Sequence, residues 1–252
     1  MNASPPPALI IAAGEGSRLR GLSPSKPLLA LAGRPLIQHV IENGLRAGVE
    51  AFVVTTGHRQ ELLGPFLEGL SRRLAVPIAT VPNPRWRQGN ASSVLAARAW
   101  LPGPFLLLMA DHLTDPGLVA AVAGAPPVAG GLRLGVDRRL DNPTVDLEDV
   151  TRVSCEADRI RGIGKGLSPY DAFDTGVFHC TPGLFDALEA ATAQGGQGLS
   201  DGVRLLAARG RAHCLDIGAR FWVDVDSPAM LALAETHLRR HPLPPLEAPA
   251  PP

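Results

Sequence analysis

The residues AAGEGSRLRGLSPSKPLLALAGRPL, positions 12–36, decide the reading; they overlap the end of an apolar run at 8–13. A short apolar run reads as a buried strand, and a glycine-rich loop at its carboxyl end offers backbone N–H groups to phosphate oxygens. Two familiar phosphate loops fail here. The pattern G-x-x-x-x-G-K-[ST] finds no glycine before Lys26 and meets Pro27 after it. The pattern G-x-G-x-x-G is met by Gly14 and Gly16, but Leu19 stands at the third glycine, and the next expected strand ends at Thr55 without an acidic ribose ligand. A simple NAD or ATPase site is thereby disfavoured.

Outward from this loop, Leu36, Val40, Ile41 and Leu45 recur at helical spacing and predict a helix over 35–47. The theme repeats: a strand at 51–55, a helix at 61–74, a strand at 77–81, a helix at 91–101 and a strand at 105–110. Strands alternating with helices predict an α/β fold whose mostly parallel, Rossmann-like mixed sheet carries helices on both faces. After Asp115 the pattern changes to strands near 145–153 and 174–180, helices at 184–191 and 201–208, and a strand ending at Asp224. A last helix is capped by Ser227 with Pro228 in its first position. The expected organisation is one domain over 8–240, divided into halves at 8–114 and 115–240. A flexible start at 1–7 and a disordered Pro-rich tail at 241–252 flank it.

With 252 residues, 45% of them hydrophobic, the chain can bury one sizeable core. Lys+Arg and Asp+Glu are 24 each, so there is no electrostatic footprint for nucleic acid. The longest apolar stretches, 8–13 and 105–110, fall far short of the roughly 20 residues that span a bilayer, so no membrane insertion is expected. The first residues lack the basic and apolar regions of a signal peptide, and a cytoplasmic location is expected. Cys155, Cys180 and Cys214 lack metal-ligand spacing and read as small buried hydrophobes. Lysine occurs only at Lys26 and Lys165 among 24 basic residues, so each asks for its own explanation.

The loop resembles the signature of the nucleotidyltransferases that make activated sugars and alcohols, A-A-G-x-G-[ST]-R-L, a short insert, then x-K-P. Gly14, Gly16, Arg18, Lys26 and Pro27 stand on its positions, and Ser25 replaces a usual proline. Leu108-Met109-Ala110-Asp111-His112 resembles that family's strand-terminal metal aspartate, and Trp222-Val223-Asp224-Val225-Asp226-Ser227 its second metal segment. Gly162 to Leu167, Tyr170-Asp171 and Asp174 to Phe178, with Val145, Asp146, Glu148 and Thr151, look like the CTP:inositol-1-phosphate cytidylyltransferases. Asn83-Pro84-x-Trp86, followed by Asn90 and Ser93, is similar to that subgroup and to cytidylyltransferases acting on phosphocholine or aminoethylphosphonate.

The resemblance implies a nucleotidyltransferase (GT-A-like) fold with a nucleotide-binding first half and a mixed α+β, acceptor-binding second half. It also implies transfer of CMP from CTP to a phosphorylated alcohol, inositol 1-phosphate by preference, giving CDP-inositol and pyrophosphate. Such a reaction joins two anions, so the site must align and neutralise charge rather than supply a general base. Mg2+ is the implied cofactor, with Asp111 and Asp224 as ligands and Asp226 assisting. Lys26 is expected at the α-phosphate, Arg18 on the triphosphate and Lys165 on the acceptor phosphate. The resemblance places Ala12, Ala13, Gly14, Glu15, Gly16, Asn83, Gly89, Asn90 and Ser93 around the nucleotide. Around the acceptor it places Asp171, Asp174, Thr175 and Gly176. Asn90 serves equally as a helix N-cap, and Asp171 and Asp174 as turn-forming residues. His58, His112, His179 and His213 are taken as structural or solvated. Phosphocholine, aminoethylphosphonate or a sugar 1-phosphate with another nucleotide stays open as an alternative. So do a non-catalytic nucleotide-sensing module, a nicotinamide-dependent oxidoreductase and assembly as a homodimer.

Overall fold

Apolar residues along a central strand face opposite sides in turn, and each must find a packed layer. The structure, a computed structural model, describes residues 5–19, 21–244 and 246. In β1 (Ala8–Ala12), Leu9 enters one core layer while Ala8, Ile10 and Ala12 enter the other. After the glycine loop come a small hairpin of β2 (Ala30–Leu31) and β3 (Arg34–Pro35), then helix α1 (Leu36–Arg46). The chain continues through β4 (Phe52–Thr56), α2 (Gln60–Leu74), β5 (Ile78–Pro82), α3 (Asn90–Ala96) and β6 (Phe105–Met109). Both β4 and β6 pair with β1 in parallel, on opposite sides, and β5 extends the sheet beyond β4. The chain therefore moves outward from β1 on one side and returns on the other. That leaves a crevice at the carboxyl ends of β1 and β6, where open α/β sheets bind ligands.

The second half runs through β7 (His112–Thr114), α4 (Pro116–Gly124), β8 (Leu132–Asp137), β9 (Arg152–Glu156), β10 (Arg159–Gly164) and β11 (Ala172–Cys180). It closes with α5 (Gly183–Ala193), α6 (Leu199–Ala208), β12 (Ala212–Asp216), β13 (Trp222–Asp224) and α7 (Pro228–Arg240). The main sheet has the order β5-β4-β1-β6-β11-β8-β12-β10-β9, with β11 antiparallel to β6. A further pairing of β9 with β11 curls its far edge back on itself. Outside this sheet, β13 pairs among the described residues only with β7, which sets Asp224 opposite His112. A third apolar cluster joins Leu19, Leu29 and Leu31 of the loop region to Val223, Val225 and α7, so burial fastens the glycine loop to the β13 segment.

Two expected elements take a different form. The helix at 91–101 stops at Ala96 and a short 3-10 turn, Arg98–Trp100, follows. The strand near 145–153 is a turn until Arg152: the Asp146 backbone carbonyl accepts from Val150 N at 2.9 Å and its side chain from Glu148 N at 3.0 Å. Such local bonds to an aspartate compete with a ladder. Elements β2, β3, β7, α4, β8, β10 and β12 go beyond what the sequence pattern indicated. At the termini, the Pro7 carbonyl accepts from Leu106 N and Arg46 donates to the Pro244 carbonyl. The remainder of the expected flexible start and tail, 1–4, 245 and 247–252, lies outside the described residues. Among the described residues no helix is long and apolar enough to cross a membrane.

Candidate active site

Gly16 has φ +61°, and a Cβ there would lie 2.4 Å from Lys26 Cβ. The missing side chain is what lets the Lys26 stem cross the loop, buried to 8% exposure. Its Nζ lies 2.7 Å from Asp111 Oδ2 and 3.7 Å from Asp224 Oδ1, and it pairs with Asp226. Arg18, half-exposed, donates to Asp149 at 2.6 Å and also pairs with Asp226. Ala12, Gly14 and Gly16 form the wall of this cavity with Arg18, Lys26, Asp111 and Asp226. The Ala13 carbonyl accepts from His58 N at 3.0 Å, while Glu15 is part-buried in the loop.

Asp111 leaves the end of β6 and meets Asp224 from β13. Burial favours the neutral form of Asp111, but Lys26 and His112 outweigh it and hold the carboxyl well below the usual range. Asp224 moves the other way, raised by burial and by the charge of Asp111. His112 loses charge stability through burial. Asp224 and a 2.9 Å contact from Nδ1 to Asp111 nevertheless lift it to about 9. The Asp224 Oδ1 atom is buried without a hydrogen-bond partner. Oxygens of Asp149, Asp224 and Asp226 lie within 4.8 Å of one another, as do ligand atoms of Asp111, His112 and Asp224. An orphaned oxygen among crowded carboxylates suits a hard divalent cation, so these residues fit a metal.

A second cavity opens on the other side of the same carboxylates and shares Asp111 and Asp226 with the first. Lys165, 61% exposed, reaches into it and pairs with Asp149. Asp174 is raised to about 6 by burial, against an opposing hydrogen bond from Gly176 N at 2.8 Å. Gly176, with φ +75°, leaves room for His112: a Cβ would lie 2.7 Å from its Cδ2. The two lysines thus approach one acidic wall from two cavities, an arrangement that can bring two phosphate groups together.

Other expected site residues are engaged elsewhere. Asn83 donates to Ser92 at 2.9 Å and Ser93 at 3.1 Å and accepts from Arg85 N, so Asn83 and Ser93 turn inward to brace the start of α3. Gly89 is the residue preceding α3, and a Cβ on it would lie 2.2 Å from the Gln197 carbonyl oxygen. Asn90 is therefore not the N-cap. Its Oδ1 accepts from Leu199 N at 2.6 Å, and it borders the Lys165 cavity. Thr175 is fully buried and donates to the Gly135 carbonyl at 2.7 Å. Asp171 accepts from Cys155 N at 2.7 Å and Arg138 at 2.5 Å. Thr175 and Asp171 do not line the Lys165 cavity, and their side-chain oxygens are matched within the fold. The sequence alone does not single out Asp149, and it reads His112 as structural or solvated. Only the pairing of β13 with β7 and the turn at 142–150 bring them to the cluster.

A loop lysine at a switch point, facing carboxylates between two cavities, on this mixed sheet, defines a nucleotidyltransferase-type α/β domain. The chain belongs to the MobA-like NTP transferase domain family, which it matches over residues 8–197. It is similar to the "Bifunctional IPC transferase and DIPP synthase" of Rubrobacter xylanophilus, 35% identical over 90% of this chain and 51% of the relative. The protein of the same name from Aquifex aeolicus is 32% identical over 92% of this chain and 51% of the relative. The chain thus spans about half the length of these curated relatives. Its fold is that of the inositol-1-phosphate CTP transferase from T. maritima, with TM-score 0.84, 24% identity and coverage of 96% and 99% of the two chains. It is also that of a UDP-glucose pyrophosphorylase complexed with UDP-glucose, with TM-score 0.77, 18% identity and coverage of 93% and 98%.

Proposed function

We propose that the chain transfers the cytidylyl group of CTP to inositol 1-phosphate, forming CDP-inositol and releasing pyrophosphate in the cytoplasm. The observation that carries this reading is the shared wall of Asp111 and Asp226 between two cavities, each holding one of the chain's two lysines. The names of the relatives support the acceptor. The Lys165 cavity supports it too: Asp146, Thr151, Asp174 and Ser200 on its lining suit a polyol. Its aromatic lining is limited to His112 and Trp222, a poor cage for a quaternary ammonium.

A phosphate monoester has its second pKa near 6, so the acceptor arrives ionised and needs no general base. The chain's task is alignment and neutralisation. Lys26, a compact ammonium on a flexible stem, follows charge at the α-phosphate and the leaving pyrophosphate. Arg18 grips the triphosphate and Lys165 the acceptor phosphate. Asp111 and Asp224 would hold Mg2+, with Asp226 and Asp149 beside them, and the ion would neutralise triphosphate charge. Lys26 and Arg18 pair with these same carboxylates, so phosphate and cation binding would exchange partners rather than create isolated charges. The test is a pyrophosphate-release screen of four nucleoside triphosphates against phosphorylated alcohols and sugars. CTP with inositol 1-phosphate should be fastest; a different preferred pair, or no release with any, defeats the proposal.

A further inference from the structure

Asp137, at the carboxyl end of β8, lines neither cavity and is fully buried. It accepts from Arg139 N, Nε and Nη2, each at 2.9 Å, from Asn142 Nδ2 at 2.7 Å and from Trp222 Nε1 at 2.8 Å. Burial opposes its charge, but these bonds outweigh it and keep the carboxyl below its ordinary range. A well-packed apolar side chain usually holds a core at least as well as a buried ion does. The distinguishing contribution of Asp137 is therefore where it fixes its partners.

Those partners lead to the acidic cluster by two routes. Trp222 begins β13 and stands two residues before Asp224, its ring roughly parallel to that of His112 at 6.2 Å. Arg139 and Asn142 open the turn that carries Asp146 and Asp149, and Thr144 closes the circuit by donating to the Trp222 carbonyl at 2.9 Å. Because β13 is hydrogen-bonded into β7 and not into the main sheet, the Asp137–Trp222 bond is a side-chain tether between them.

We propose that Asp137 is a positioning residue of this site: through Trp222 and the Arg139–Asn142 turn it sets where Asp224 and Asp149 stand. This rests on the reading that the acidic cluster holds a divalent cation during nucleotidyl transfer. Outer partners of this kind typically change metal affinity or activity by about 10- to 100-fold when removed.

The test uses Trp222→Phe, which keeps a ring and removes the donor, and Asp137→Asn, which keeps the size and turns an acceptor into a donor facing donors. Mn2+ affinity of the nucleotide-free chain is measured by electron paramagnetic resonance, alongside kcat, KM and the thermal midpoint. Both variants should bind Mn2+ about tenfold more weakly and lose kcat by about the same factor. At saturating metal, KM for CTP should stay within about twofold, since the Lys26 and Arg18 contacts to CTP remain. If Asp137→Asn does not fold, Trp222→Phe decides alone. Wild-type Mn2+ affinity and kcat in folded Trp222→Phe overturn the proposal, as does a wild-type chain that binds no Mn2+. Absence of pyrophosphate release from the wild type defeats the functional reading instead, leaving the Mn2+ comparison intact.

Discussion

Replacing Gly16 by alanine tests whether the glycine loop is built to seat Lys26. The new Cβ would fall 2.4 Å from Lys26 Cβ and 2.8 Å from Cδ, against 3.4 Å for ordinary contact, so the lysine stem must retreat by the difference, 1.0 Å. That movement carries Nζ off the carboxylate it touches at 2.7 Å. Misplacing a reacting or stabilising group by about 1 Å can cost on the order of 100-fold in rate. The left-handed φ of +61° adds strain of roughly 1–2 kcal/mol for a residue with a Cβ. Gly16→Ala should therefore lose about 100-fold in kcat for pyrophosphate release and about 1–2 kcal/mol in urea unfolding. Gly21→Ala, where a Cβ meets nothing within 4 Å, serves as the control and should leave both unchanged. A folded Gly16→Ala variant with wild-type kcat would refute this account of the loop.

Lys165→Ala should raise the acceptor KM by about tenfold to 100-fold, the scale of a charge-assisted hydrogen bond, and leave calorimetric CTP affinity unchanged. The 61% exposure of Lys165 favours the lower end of that range, and an equal loss of CTP affinity would assign it to the nucleotide. Asp111→Asn or Asp224→Asn, like chelation of the metal, should nearly abolish turnover through loss of several kcal/mol of charge stabilisation; near-normal rates in magnesium buffer would remove both from the metal. Burial lowers the pKa of His39 and His179, although each ring is bonded to a backbone carbonyl, that of Leu31 for His39 and of Ala125 for His179. Their contribution to stability is complete above the unfolded value of about 6.5 and falls as pH drops from there toward their folded values. His112, lifted to about 9, has the opposite sign: its contribution is complete below about 6.5 and is lost as pH rises through about 9. Urea midpoints across pH should fall on both sides, and His39→Gln should flatten only the acid side; an unchanged acid limb would count against His39.

The first half of the fold was legible because β1, β4 and β6 are buried on both faces and α1 shows an apolar stripe, as at Ile37, Val40 and Ile41. In the second half β11 and β13 fall where strands are expected, whereas β10 is hidden for a specific reason. In β10 the register shifts between Ile160 and Gly162, which places the buried Ile160 and Ile163 three residues apart, a helical spacing in a strand. Within the site, Asp111 and Asp224 stand beside readable strand ends, Lys26 is marked by the resemblance of its loop and by the scarcity of lysine, and the structure brings the three together. Asp226 lies beyond the last residue of β13 and still reaches Lys26 and Arg18. Asp149 sits in a turn rich in acids, where nothing local separates it from Asp141, Asp146 or Glu148. Its role depends on Arg18 and Lys165 arriving from other segments. Asp171 and Asp174 look alike in sequence, three residues apart on one stretch, and only packing shows that Asp171 is matched by Arg138 and Cys155 while Asp174 lines the cavity.

The most direct measurement is phosphorus nuclear magnetic resonance of the chain incubated with CTP, inositol 1-phosphate and Mg2+. The account predicts that both substrate signals decline together, replaced one for one by pyrophosphate and by the paired resonances of the CDP-inositol diphosphate. Unchanged CTP and inositol 1-phosphate signals, with UTP and a sugar 1-phosphate consumed in a parallel incubation, would contradict it.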